Sequence, residues 1–282
     1  MKAKELYEKL EKDFEIDKCS DDWERMNFNE FIYKDFKKRY IGLVLDNSKE
    51  IKKVYTAVFP SDNILNKILK KGEENILLFT HHPMIWDIRK APRTFTDINI
   101  KLLPKLKEKR ISVYTLHVPL DKNGKYSTSV TLAKTLGIKP EHEILDYFGI
   151  KAGIVGKGKY DTVEELKEKI SSIVGHKVKL WGYGDEKIKN NMVAFVAGGG
   201  NRIDALKDIK RLGANVLVTG VTLKNKHSKE AHEFAKENKI NLIGATHYST
   251  EKFTCIAMCG YFKKLNLDCE FIEDIPVLED MG

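Results

Sequence analysis

Short apolar runs alternate with amphipathic stretches along most of the chain. The runs at residues 41–45, 54–59, 76–80, 112–116, 193–197, 216–219 and 242–245 are rich in β-branched residues. Their length and continuity suit strands buried on both faces. Between them, apolar positions recur at helical spacing over 62–71, 98–109, 130–137, 162–174, 203–212, 228–238 and 251–264. Gly137 and Gly213 stand where helices would stop. This alternation predicts an α/β protein of layered architecture with largely parallel strand pairing.

The chain has 282 residues, room for one large domain or two modest ones. The polar stretch 122–130 reads as a domain break. A second break near 240–246 reads as the point where the chain returns to the first sheet. The expected division is a first α/β domain of residues 1–125 plus 242–282 and a second of 126–241. Residues 156–162 read as a turn feeding a helix, with Asp161 or Thr162 as the N-cap. The first forty residues, with Trp23, Phe28 and Phe36, carry a helical and packing role only.

The histidines change the picture. Three apolar runs end in one: 76–80 leads into His81 and His82, 112–116 into His117, and 242–246 into His247. Ligands of open α/β sheets bind beyond the carboxyl ends of the strands. Three neighbouring parallel strands would bring all four rings to one rim. Two of these histidines are followed, four residues on, by a carboxylate: Asp121 after His117, and Glu251 after His247. Pro119 argues against a helix interior in the first case, so a tight loop is expected to fold Asp121 back beside His117. His247 and Glu251 lie at the opening of a helical pattern, where positions four apart share a face. A single histidine after a strand is usually an ordinary polar residue. Three coincident cases, two with a carboxylate at the same offset, point to a metal site. Four imidazoles and two carboxylates suit zinc, manganese, iron, nickel or cobalt, and six donors match two divalent ions better than one. His142, His176, His227 and His232 fall among lysines and glutamates and read as solvated.

These segments resemble a known family. The stretches at 80–86, 114–121, 195–200 and 217–251 are similar to those of the Nif-three-like dinuclear-metal proteins, also called GTP cyclohydrolase type-I type-2 homologues. The resemblance implies two α/β domains with a dinuclear site in the cleft between them. It implies His81, His82, Asp121, His247 and Glu251 as ligands, and His117 as a ligand or a close neighbour of one. It also implies assembly into a ring-shaped homohexamer. Longer relatives carry a mid-chain inserted domain, which this chain is too short to hold. Two positions depart from the family pattern: Val118 and Pro119 replace small polar residues, and Thr246 replaces a glycine.

The expected activity is metal-dependent hydrolysis of a small, anionic, phosphorylated or nucleotide-like molecule, with His117 or Glu251 moving the proton. A non-enzymatic metal-binding or scaffold role is the rival reading. Residues 198–201 form either a tight turn or a loop whose NH groups hold a phosphate. Net charge is +8, from 49 Lys and Arg against 41 Asp and Glu, which admits nucleic acid as a partner. The lysines are scattered and do not alternate with aromatics, so a solvated basic surface is favoured. Cys19, Cys255, Cys259 and Cys269 form no CxxC pair and read as core residues in a reducing compartment. The charged amphipathic N-terminus has no apolar signal region, and no apolar run is long enough to span a membrane, so a cytoplasmic protein is expected.

Overall fold

The computed structural model describes residues 1–282 except 24, 25 and 27–29, so the packing role expected of Phe28 lies outside the described residues. The chain divides into two compact units. One is Met1–Leu120 with Cys255–Ile275, and the other is Asp121–Thr254 with Pro276–Gly282.

The first unit contains α1 (Ala3–Asp13), β1 (Gly42–Leu45), β2 (Lys53–Ala57), α2 (Asp62–Lys70), β3 (Ile76–Thr80), β4 (Ile85–Trp86), β5 (Phe95–Thr96), α3 (Leu103–Glu108) and β6 (Ile111–Thr115). A single helical turn, α4 (Val118–Asp121), ends on the first residue of the second unit. The second unit continues with α5 (Thr128–Thr135), β7 (Lys139–Tyr147), β8 (Ile150–Lys157), α6 (Val163–Val174), β9 (Lys179–Trp181), β10 (Met192–Val196), α7 (Ile203–Arg211), β11 (Val216–Thr219), α8 (Lys229–Glu237) and β12 (Asn241–Gly244). The long helix α9 (His247–Lys264) carries the chain from the second unit to the first, where β13 (Asp268–Phe271) follows.

The sheet of the first unit has the order β1-β6-β3-β2-β13, parallel throughout except for β1. Strands β3 and β6 are buried along their whole length, which is why they read as unbroken apolar runs. Ile64, Leu65 and Ile68 of α2, with Leu103 and Leu106 of α3, share one core with Ile76, Leu78 and Val113. Each such fully buried side chain contributes about 1.5–3 kcal/mol. On the opposite face Tyr7 of α1 stacks on Tyr114 at 5.6 Å, and Phe262 of α9 meets Phe79 edge-on at 5.3 Å. Helix α2 starts at a serine cap, the Ser61 Oγ accepting the Ile64 NH at 3.2 Å. Replacing Ser61 by alanine should lower the stability of the protein by about 1 kcal/mol, read from the urea midpoint.

The sheet of the second unit has the order β7-β8-β10-β11-β12-β9. Three parallel strands, β10, β11 and β12, are flanked by the antiparallel hairpin β7–β8 and by antiparallel β9. Successive residues alternate faces. Val193, Phe195, Val218 and Ile243 pack with residues of α5 and α6. Ala194, Val196, Leu217 and Leu242 pack with Ala205, Leu206 and Ile209 of α7 and with Ala231 and Ala235 of α8.

Two features differ from the sequence expectation. Residues 242–245 do not return to the first sheet, because β12 pairs with β11 in the second, Thr219 opposite Gly244. The run β10–α7–β11–α8–β12 places each parallel strand beside its predecessor, the usual outcome of short crossovers. The hairpin β7–β8 carries no apolar run in its first strand, because the outer strand β7 is mostly exposed and reads as a charged segment. Its two-residue turn, Phe148 and Gly149, has positive φ at both positions, the geometry that matches the twist of paired strands. Among the described residues no helix is long and apolar enough to cross a membrane.

Candidate metal centre

In the first unit, β3 and β6 are parallel neighbours with Thr80 opposite Thr115. The residues leaving their carboxyl ends therefore emerge side by side: His81 and His82 from β3, Leu116 and His117 from β6. The chain beyond β3 is held along the extension of β2. The His81 NH donates to Ala57 O at 3.2 Å and the His82 NH to Val58 O at 3.0 Å. His81, His82 and His117 are all buried, and each offers one ligand atom within 4.8 Å of the others.

Hydrogen bonds orient two of these rings. His81 Nδ1 lies 3.0 Å from Leu116 O. A carbonyl oxygen only accepts, so Nδ1 carries a proton and Nε2 is the ring atom left to act as a ligand. His117 Nδ1 lies 2.6 Å from Asp21 Oδ2, with the same consequence. Asp21 also accepts from its neighbour's NH, Asp22, at 2.8 Å and from Trp23 Nε1 at 2.8 Å. Burial pushes the Asp21 carboxyl up. The adjacent His117 ring and the three hydrogen bonds outweigh burial and leave it below the usual carboxylate range. His82 is held by rings: Phe59 stacks on it at 4.8 Å, and Trp23 meets it edge-on at 5.8 Å. Such a carboxylate–histidine pair in an apolar shell is how proteins fix the tautomer of a ligating imidazole.

The second unit holds the other candidates. His247 opens α9 and Glu251 follows one turn later, with His247 Nε2 3.2 Å from Glu251 Oε1, as the four-residue spacing predicted. Both are buried. The helix starts four residues earlier than its apolar pattern suggests. Thr246 supplies a cap, its Oγ1 accepting the Ser249 NH at 3.1 Å, and Asp280 Oδ2 accepts the His247 NH at 2.8 Å. Thr246 has φ of 64°, the left-handed region that explains why a glycine suits this position. Asp121, half-exposed, accepts from Thr128 Oγ1 at 3.0 Å. The loop expected between His117 and Asp121 is instead the helical turn α4. Pro119 sits in its first turn, where a missing NH costs nothing.

Of residues 198–201, Gly198 and Gly199 belong to a turn over 197–199 that backs the His247–Glu251 pair. The Gly198 NH donates to Thr250 Oγ1 and the Gly200 NH to Thr219 Oγ1, each at 3.0 Å. Gly198 O accepts from the NH groups of Gly220 and Val221. Gly198 has φ of 66°, and a Cβ there would overlap Glu251 Oε1 and lie 2.9 Å from His247 Nε2. The backbone conformation favours glycine here, and a Cβ would oblige the Glu251 carboxylate to shift.

His142 and His227 are exposed, as expected, and His176 is half-buried with Nε2 2.8 Å from Ser249 Oγ. The expectation that His232 is solvated is corrected. It is 1% exposed, hydrogen-bonded to the Tyr183 hydroxyl at 2.9 Å and to Thr222 O at 3.0 Å. Burial pushes its pKa down, so it is a neutral core residue. The expectation that β12 shares a sheet with β3 and β6 is likewise corrected, so His247 leaves a strand of the second sheet. Asp21 escaped sequence reasoning. Its role rests on a contact 96 residues away, and nothing in its neighbourhood repeats a spacing that would flag it.

The fold and these side chains define an α/β protein with histidine-rich candidate metal sites at strand ends. The chain belongs to the Duf34/NIF3 (NGG1p interacting factor 3) family, which it matches over residues 28–276. A protein of Archaeoglobus fulgidus named GTP cyclohydrolase 1 type 2 homolog is 29% identical over 237 residues, 83% of this chain and 89% of that one. A protein of Pyrococcus horikoshii with the same name is 29% identical over 240 residues, 83% and 88% of the two chains. Among solved structures, reduced HcgD from Methanocaldococcus jannaschii has a TM-score of 0.68 at 27% identity, with 97% and 98% of the chains covered. The structural-genomics protein ybgI, of unknown function, has a TM-score of 0.76 at 24% identity, with 98% and 99% covered, a likeness of fold.

Proposed function

We propose that this chain binds a pair of divalent metal ions and hydrolyses a small phosphorylated or nucleotide-like substrate. The donors are His81, His82, His117, Asp121, His247 and Glu251. The observation that carries this reading is the convergence of three buried imidazoles within 4.8 Å. Three imidazoles held this close can offer ring nitrogens to a shared cation, whereas positive charges at that distance would repel strongly. With Nδ1 committed to Leu116 O in His81 and to Asp21 in His117, Nε2 is the nitrogen each ring would offer to a divalent cation. The mixture of imidazole and carboxylate fits zinc, manganese, iron, nickel or cobalt.

Bound divalent ions supply Lewis acidity and lower the pKa of water. The chain's own residues do the remaining work. Of the two candidates for moving the proton, Glu251 is favoured over His117, whose Nδ1 is committed to Asp21. The relatives named GTP cyclohydrolase 1 type 2 homolog support a nucleotide-like substrate. A homohexameric assembly and a cytoplasmic location accompany this reading. A non-catalytic metal-binding role is the second reading, favoured by the buried, apolar Val118 and Pro119 beside His117.

The test is elemental analysis of the purified protein, followed by a panel of nucleotides and phosphoesters offered to the metal-loaded chain. Close to two ions per chain, with turnover of one substrate class, is the expected result. Metal without turnover on any member moves the assignment to the non-catalytic role. Absence of metal after reconstitution overturns both.

A further inference from the structure

We propose that Cys259 and Cys269 are a modification site of their own, a dithiol that closes to an intramolecular disulfide under a peroxide and reopens under a thiol reductant. Cys259 lies on α9 and Cys269 on β13, the edge strand of the first sheet. The helix ends at a left-handed Asn266 (φ 58°), with the Leu267 NH donating back to Phe262 O at 3.2 Å. That stop turns the chain directly into β13, where Cys269 is held in register with Val54 of β2. The two sulfurs come to 3.1 Å, with the Cys269 S–H donating to Cys259 Sγ. A disulfide has an S–S length of about 2.05 Å, so closure needs roughly 1 Å of sulfur movement.

The surroundings distinguish the two thiols. Thr56 Oγ1 lies 3.2 Å from Cys259 Sγ. Donation from Cys269 lowers the Cys259 thiol against the opposing effect of burial, with Thr56 and the Lys263 ammonium one turn on acting in the same direction. Cys269, the donor, is pushed up. Cys259, the acceptor of the pair and the more exposed of the two, is assigned the nucleophile and Cys269 the resolving thiol. Both are buried, Cys259 retaining 8% of its surface and Cys269 4%, which favours a small oxidant.

The chemistry balances with one peroxide. The Cys259 thiolate attacks one peroxide oxygen and the O–O bond breaks. Cys259 becomes a sulfenic acid, and the departing hydroxide takes up a proton to leave as water. Cys269 sulfur then attacks the sulfenic sulfur. The S–S bond forms, the S–O bond breaks, and hydroxide leaves as a second water with the Cys269 proton. Two thiols are oxidised and one peroxide is reduced to two waters. Cys255 is not part of the pair. It sits one turn before Cys259, and its S–H donates to Ala57 O at 3.2 Å.

The experiment exposes the full-length protein to hydrogen peroxide, alkylates the remaining thiols in denaturant and maps peptides without reduction. A peptide linked through Cys259 and Cys269 is expected, in the wild type and in Cys255→Ser alike, and it disappears on reduction. In Cys269→Ser a sulfenic acid at Cys259 is expected, captured by dimedone. Full alkylation of both cysteines after exposure, in the wild type, overturns the proposal, as does a linkage that uses Cys255 instead. The wild-type map alone decides between these outcomes if a serine variant does not fold.

Discussion

Replacing Asp21 by alanine should destabilise the protein by about 2–3 kcal/mol and weaken metal binding about 10–100-fold. Asp21 is 9% exposed and holds two buried donors, His117 Nδ1 at 2.6 Å and Trp23 Nε1 at 2.8 Å. Removing the carboxylate leaves both without their acceptor in an apolar pocket, and that desolvation loss is the larger part of the stability change. The effect on metal follows from the ring: without Asp21, His117 loses the bond that fixes its Nδ1 as the donor. Two measurements separate these effects, the urea midpoint of metal-free protein and competition with a chelator for the ion. Asp21→Asn keeps one acceptor oxygen and should fall between wild type and alanine in both. An unchanged urea midpoint together with unchanged chelator competition would remove Asp21 from any role at the site.

The second large effect is expected at Gly198. An alanine there must adopt φ near 66°, at a cost of about 1–2 kcal/mol for a residue with a Cβ. Its methyl would also overlap Glu251 Oε1, so the carboxylate must swing away from His247. The combined loss should be about 2–3 kcal/mol, seen as a drop of roughly 5–10 °C in the thermal midpoint. Metal content should fall with it, because Glu251 is one of the proposed donors. Gly199 is the internal control: a methyl added there would meet nothing within 4 Å, and its φ is not left-handed, so Gly199→Ala should be nearly neutral. Equal behaviour of the two variants would show that Gly198 is not the wall behind Glu251.

Much of the fold was legible because buried parallel strands and amphipathic helices leave local signatures. The runs ending at Thr80 and Thr219 coincide with β3 and β11, and most helices begin or end within two residues of their expected bounds. The exceptions have physical causes. Strand β7 is an exposed hairpin strand, so no apolar run marks it. Helix α3 is shorter than its pattern, starting at Leu103 with Pro104 in its first turn. At the candidate site, the positions of His81, His82 and His117 beyond strand ends could be read from the chain. So could the His247–Glu251 pair, because its geometry is that of one helical turn.

What the sequence determined by itself is therefore local: where strands stop, which residues emerge there, and which two side chains share a helical turn. The tertiary structure alone decided three things. It assigned β12 to the second sheet, because strand choice depends on which neighbour completes the ladder of hydrogen bonds and not on the strand's own residues. It made His232 a core residue by closing Trp181, Tyr183 and Thr222 around it. It brought Asp21 to His117 and Cys269 to Cys259, contacts between different elements that no periodicity along the chain encodes.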